Sequence, residues 1–219
     1  MQCPKCSAEV PEGSAQCGQC GAAIKATTSV APAASAYKSS FGDQFNAALI
    51  FWKMNLGDLA VLTLVLLLVV WIPIANIGFM AGYTRSILKV ARGEGKAQVG
   101  DLFNAWDCFG NLVVYAILIF ICSALLNVVP LLGALASMAL GFAALPGFYL
   151  IIDRGLNFGD AIKASIATIQ ANPVDWLLSY LVGMIVYGVG MLLLFVGIIL
   201  TMPLGALIMA LQYENSKTA

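Results

Sequence analysis

Histidine is absent from this chain, and charged residues make up only 10% of its 219 residues. The missing imidazole removes the most frequent general base and a frequent ligand of catalytic metals. No nucleophile elbow, phosphate-binding glycine loop or helix-borne pair of metal ligands takes its place. The reading is therefore that the chain is not an enzyme. Soluble domains carry about 25% charged residues. Here 61% of residues are hydrophobic, more than a core of this size can hide, and a lipid surround removes the need for a polar surface. The formal net charge is zero, which gives no reason to expect nucleic acid. The opening residues are polar and rich in cysteine, with no basic stub and apolar run. No secretory signal is expected, and the N-terminus is expected to stay in the cytoplasm.

The scarcity of charge is also local. Leu59–Met80, Leu112–Ile152 and Trp176–Leu211 contain no Asp, Glu, Lys or Arg. A spanning helix needs roughly 17–25 residues, so the last two cores hold two crossings each and the first holds two short ones. Turn signals fall near their middles, at Pro73 and Asn76, Asn127 and Pro130, and Gly188 and Gly190. The expectation is three helical hairpins and about six crossings, with one long tilted helix as the alternative for the first pair. Every charge then lies on one side. Arg85, Lys89, Arg92 and Lys96 form the densest basic segment, and basic loops stay in the cytoplasm. The expected location is a bacterial-type inner membrane, multi-pass, with both termini cytoplasmic.

A motif recurs about every 58 residues: Phe41-Gly42-Asp43 to Ala47, Val99-Gly100-Asp101 to Ala105, and Phe158-Gly159-Asp160 to Ala164. Each Asp is expected to cap a helix. Each helix is expected to lie in the cytoplasmic interface on its apolar face: Phe41, Phe45, Ala48, Leu49 and Trp52; then Val99, Leu102, Phe103 and Trp106; then Ile162, Ile166 and Ile169. Asp58 and Asp175 read as caps of the following helices, and Asp153 and Arg154 as a boundary pair. Small residues four apart on the returning helices (Gly78 and Gly82; Gly133, Ser137 and Gly141; Gly197, Thr201 and Gly205) read as internal packing, and also fit a homo-oligomer contact. Trp52, Trp71, Trp106 and Trp176 read as interfacial anchors. Cys122 reads as a packing residue. Cys108 sits near the interface, where acylation is one reading.

Four cysteines open the chain as two knuckles, Cys3-Pro4-Lys5-Cys6 and Cys17-Gly18-Gln19-Cys20. Their spacing suits tetrahedral zinc on Cys3, Cys6, Cys17 and Cys20, with iron as the chemical competitor. Disulfides are disfavoured on the cytoplasmic side. A catalytic zinc would want an open position and usually a histidine, so the metal is read as structural. Lys5 and Lys25 against Glu9 and Glu12 argue for a protein contact over a phosphate backbone. The resulting division is a zinc ribbon (1–24), a flexible linker (25–40) and three membrane repeats (41–98, 99–157 and 158–219).

The cysteine knuckles, the Ala/Ser/Thr/Pro linker and the multi-pass region together resemble bacterial zinc-ribbon-containing integral membrane proteins of uncharacterised function. Gly82-Tyr83-Thr84-Arg85 through Arg92-Gly93-Glu94-Gly95 to Gly100-Asp101-Leu102-Phe103 is similar to a segment of such families, as is Asp153-Arg154-Gly155 with the helix after it. The resemblance implies fold class and location and carries no chemistry. The expected fold is an all-α polytopic membrane bundle behind a small zinc ribbon. The expected function is a non-catalytic membrane scaffold or accessory subunit that docks a protein partner through the ribbon. The alternative is a transporter or membrane-remodelling protein for lipid or another apolar molecule. A cluster of Asp58, Asp153 and Asp175 around one cleft would point back to an enzyme.

Overall fold

The computed structural model describes residues 40–128 and 131–217, without the side chains of Leu194 and Phe195. The described residues form eight α-helices and one 310 turn, with no strand among them. In chain order these are α1 (Phe41–Met54), α2 (Leu56–Val69), α3 (Ala75–Ala91), the 310 turn (Val99–Phe103), α4 (Phe109–Leu126), α5 (Leu132–Arg154), α6 (Phe158–Ala171), α7 (Pro173–Leu192) and α8 (Leu194–Ser216).

The three motif copies open α1, the 310 turn and α6, each at its first residue. The aspartates do not occupy the cap position expected of them. They sit three residues inside, where Asp43 accepts from the Ser40 N–H at 3.2 Å while its own N–H donates to Ser40 Oγ at 3.3 Å. Asp101 accepts from the Gln98 N–H at 3.1 Å, and the Asp160 N–H donates to Asn157 Oδ1 at 2.9 Å. A carboxylate in the first turn meets exposed N–H groups and the positive end of the helix dipole. Asp58 and Asp175 likewise lie in the first turns of α2 and α7.

The second copy departs from expectation. Its amphipathic helix is the five-residue 310 turn, which ends at Asn104. The reason lies in α3. A Cβ on Gly82 would come within 2.5 Å of the backbone oxygens of Asp101 and Leu102, and one on Gly78 within 2.9 Å of the Trp106 ring. The segment is pressed flat against glycines on α3, which leaves no room for a longer helix. α1 also departs. It buries Gln44, Ala48 and Phe51, a stripe beside the expected apolar face, and packs along α8. In α6, Ala161 and Ser165 are buried and Ile166 is exposed, as a helix lying on the bundle requires.

Among the described residues four single helices are long and apolar enough to cross a membrane, α4, α5, α7 and α8, and α1 with α2 would make a fifth span only as a bent pair. Their outward residues, such as Phe120, Leu125, Ile185 and Val196, are exposed large hydrophobics, a surface that lipid covers at low cost. This makes the chain a helical membrane protein. The six crossings expected from the sequence are not reached. With 14 and 17 residues, α2 and α3 fall short, and α1 with α2 is bent by 85°. Trp176, expected as an anchor, is fully buried, whereas Trp71 stands 81% exposed.

Small residues on the returning helices pack within the chain. Gly133 lies against the backbone of Leu126 and Asn127, Gly197 against Gly190, and Gly205 against the Tyr187 ring. Asn127 closes the second hairpin by donating Nδ2 to the Ser123 carbonyl and to Ser137 Oγ, both at 2.7 Å.

Candidate functional site

The returning helices α3, α5 and α8 bring their C-terminal ends together. Each end carries the negative pole of a helix dipole, and α5 and α8 add the carboxylates Asp153 and Glu214. Two cations at helix C-caps, Arg92 after α3 and Lys217 after α8, offset this charge. Arg92 hydrogen-bonds Asp153, and its Nη2 lies 2.7 Å from Glu214 Oε1. Lys217 Nζ lies 2.6 Å from Asp153 and 2.9 Å from Glu214. The four side chains form a closed ring of alternating sign. All are largely shielded, with the two carboxylates only 13% exposed. Burial works against the charge on Arg92, but its hydrogen bonds to Glu214 and Asp153 prevail and raise its pKa above the ordinary arginine value.

Arg85, two turns before Arg92, forms a second clamp. It donates to both oxygens of Asp107 at 2.6 Å, a bidentate pair. Its Nε and Nη2 donate to the Ile152 carbonyl at 3.3 and 3.1 Å, which satisfies one of the last carbonyls of α5. Gly155, at φ 64°, then ends α5. The hydrogen bonds from Arg85 hold the Asp107 carboxyl below the usual carboxylate range. Beside the clamp, Lys89 and Ser86 reach Asp101 Oδ2 at 3.4 and 2.7 Å.

Above the ring, among α3, α5, α7 and α8, lies a cavity of about 260 Å³. The second and third hairpins part here: α5 packs on α3, α4 and α6, and α8 on α1, α2, α3 and α7. Gly183 and Ala206 present little side chain to it, and the flexible thioethers of Met80, Met184 and Met209 line it. Tyr149 lines its charged end and stacks on Tyr213 at 5.2 Å between ring centroids. Tyr213 in turn donates its hydroxyl to Asp153 at 2.9 Å, so the cavity floor rests on the ion ring. Met184 and Tyr187 line the cavity and are also exposed on α7, so it reaches the outer face of the bundle there. Tyr180 bridges the hairpins, with its hydroxyl 3.3 Å from the Met138 carbonyl and its ring 5.4 Å from that of Phe142.

Cys3, Cys6, Cys17 and Cys20 lie outside the described residues. Among the described residues no group of three or more metal-ligating side chains occurs. The three aspartates weighed for catalysis are engaged apart. Asp58 lies 3.8 Å from Lys96, Asp153 is in the ring, and Asp175 is in the first turn of α7. Asp153 pairs with Arg92 and Lys217 in place of the expected Arg154. Cys108 is buried and donates to the Ala105 carbonyl at 3.3 Å. Burial pushes its thiol pKa up, which disfavours acylation there. The ring and the cavity escaped sequence reasoning; the only hint was that each returning helix ends in charged residues. No family model, curated protein or solved structure matches this chain.

Proposed function

We propose that this membrane protein takes up an acyl chain of a bilayer lipid between its second and third hairpins and so handles lipid within the membrane. The cavity carries the reading. It is apolar, reaches the outer face of the bundle at α7, and has a floor fixed by Tyr149, Tyr213 and Asp153. Its volume lies just below the ~300–1,000 Å³ of small-molecule pockets, which suits one chain and not a whole diacyl lipid. The basic segment Arg85 to Lys96 supports placing the ring, and both termini, on the cytoplasmic side. Mass spectrometry of the protein released from native membranes tests the reading. Wild type should retain lipid through detergent exchange, and Gly183→Leu, which fills the cavity, should lose most of it. Equal retention in both proteins would defeat the proposal.

A second reading concerns the N-terminal segment and is favoured by the cysteine pattern. Four thiolates on Cys3, Cys6, Cys17 and Cys20 would hold a structural zinc, giving a ribbon that docks a protein partner from a polar tether. Elemental analysis of the purified full chain should find one zinc per chain, lost in the Cys3→Ser/Cys17→Ser double variant with the bundle still inserted. A metal-free wild-type chain would rule this out.

A further inference from the structure

The hairpin of α2 and α3 is tied low in the bundle. Arg85 bonds the Ile152 carbonyl in the last turn of α5, so those two levels coincide to within one arginine side chain. From Arg85 to its start at Ala75, α3 rises about 15 Å, whereas α5 from Ile152 to its start at Leu132 rises about 30 Å. An arginine side chain does not close that gap. The 310 turn gives a second reference. It lies against α3 between Gly82 and Gly78, and Phe103 and Trp106 stack edge-on against Phe79 at 5.5 and 5.8 Å. Gly78 is one turn from the start of α3, so the hairpin tip stands one turn beyond a polar segment carrying Asp101, Asn104 and Asp107.

The tip itself is apolar. Trp71, Ile72 and Ile74 are 81, 50 and 65% exposed, and no charge lies nearby in sequence. Part of its backbone closes on itself. The N–H groups of Ile72, Asn76 and Ile77 donate to Val69, Ile72 and Ile74, Ala75 donates to the Pro73 carbonyl at 2.7 Å, and Pro73 brings no N–H at all. The Ala75 bond makes Ile74 the centre of a γ-turn with φ 66° and ψ −51°, a conformation that is strained for a β-branched residue.

We infer that α2 and α3 form a re-entrant hairpin whose tip, Trp71 to Ile74, ends among acyl chains near the middle of the bilayer. The hairpin then wedges apart lipids of the leaflet on the ring side alone, and the four long helices make the crossings. The inference rests on helix levels and is independent of the acyl-chain cavity.

The test is membrane depth. A nitroxide is attached through an unnatural residue at position 71 of the full chain in vesicles, leaving the native cysteines untouched. A second protein carries it at position 128, the tip of the second hairpin. Collision with dissolved oxygen relative to a water-soluble nickel chelate should be several-fold higher at 71 than at 128. A third protein labelled at position 72 repeats the measurement should the first misfold. Equal ratios at the two tips, or free access of the chelate to position 71, would overturn the inference.

Discussion

Arg92 Nε lies 2.9 Å from Glu214 Oε1, although 122 residues separate them. The contact joins the end of the first returning helix to the end of the last, and Asp153 brings in the end of the second. Removing one member leaves a shielded charge without its partner, which costs more than the pair itself contributes. Arg92→Gln should lower stability by about 2–4 kcal/mol. Asp153→Asn should do less, because Glu214 still faces both cations. A double-mutant cycle of Arg92 with Glu214, read by unfolding in mild detergent, should give a coupling of roughly 1–3 kcal/mol. Additive effects would show that the ring does not act as a unit.

The Arg85–Asp107 clamp should be sensitive to acid. The folded pKa of Asp107 is lowered, so its contribution is present above the ordinary carboxylate pKa and is lost as pH falls through the lowered folded value. Thermal midpoints measured from neutral to acid pH should fall in wild type, and Asp107→Asn should start lower and show a shallower fall. An identical slope in both proteins would place the acid sensitivity elsewhere. Asp107 is 63% exposed, so the effect should weaken with salt.

Glycines predict opposite outcomes by position. A Cβ at Gly82 meets backbone atoms at 2.5 Å, and one at Gly57 meets nothing within 4 Å. Gly82→Ala must push the 310 turn off α3 and should cost about 2–3 kcal/mol. Gly57→Ala, in the first turn of α2, should stabilise by about 0.5–1 kcal/mol. Chemical unfolding of both variants checks the pair, and a neutral Gly82→Ala would mean the turn is not held where it is described.

Cys108 should resist modification. Its side chain is buried and its thiol is shifted up, so a permeant maleimide should label it many-fold faster after denaturation than before. Rapid labelling of the folded protein at this position would contradict its burial.

Much of the helical plan was legible in the sequence. The three Gly-Asp motifs mark the first residues of α1, the 310 turn and α6, because a carboxylate in the first turn is a local device that sequence displays directly. The long apolar stretches gave α4, α5, α7 and α8. What failed was tertiary. Val99 to Trp106 has helical spacing, but the glycine face of α3 draws it into a short turn. Trp176 has the position of an anchor, yet packing buries it. The first apolar core is long enough for two short helices, but Arg85 and Arg92 tie α3 to the end of α5, and spacing along a chain says nothing of such partners. The cavity was illegible for the same reason: its lining comes from four helices that meet only in the folded bundle.

The most direct measurement of lipid uptake is photo-crosslinking with a phospholipid that carries a photoreactive group midway along one acyl chain. In vesicles of the full chain, crosslinks should concentrate on the cavity walls, at Tyr180 to Tyr187 and Met202 to Met209, and Gly183→Leu should abolish that excess. Crosslinks spread evenly over the outer face of α4, with none enriched on those walls, would contradict the account.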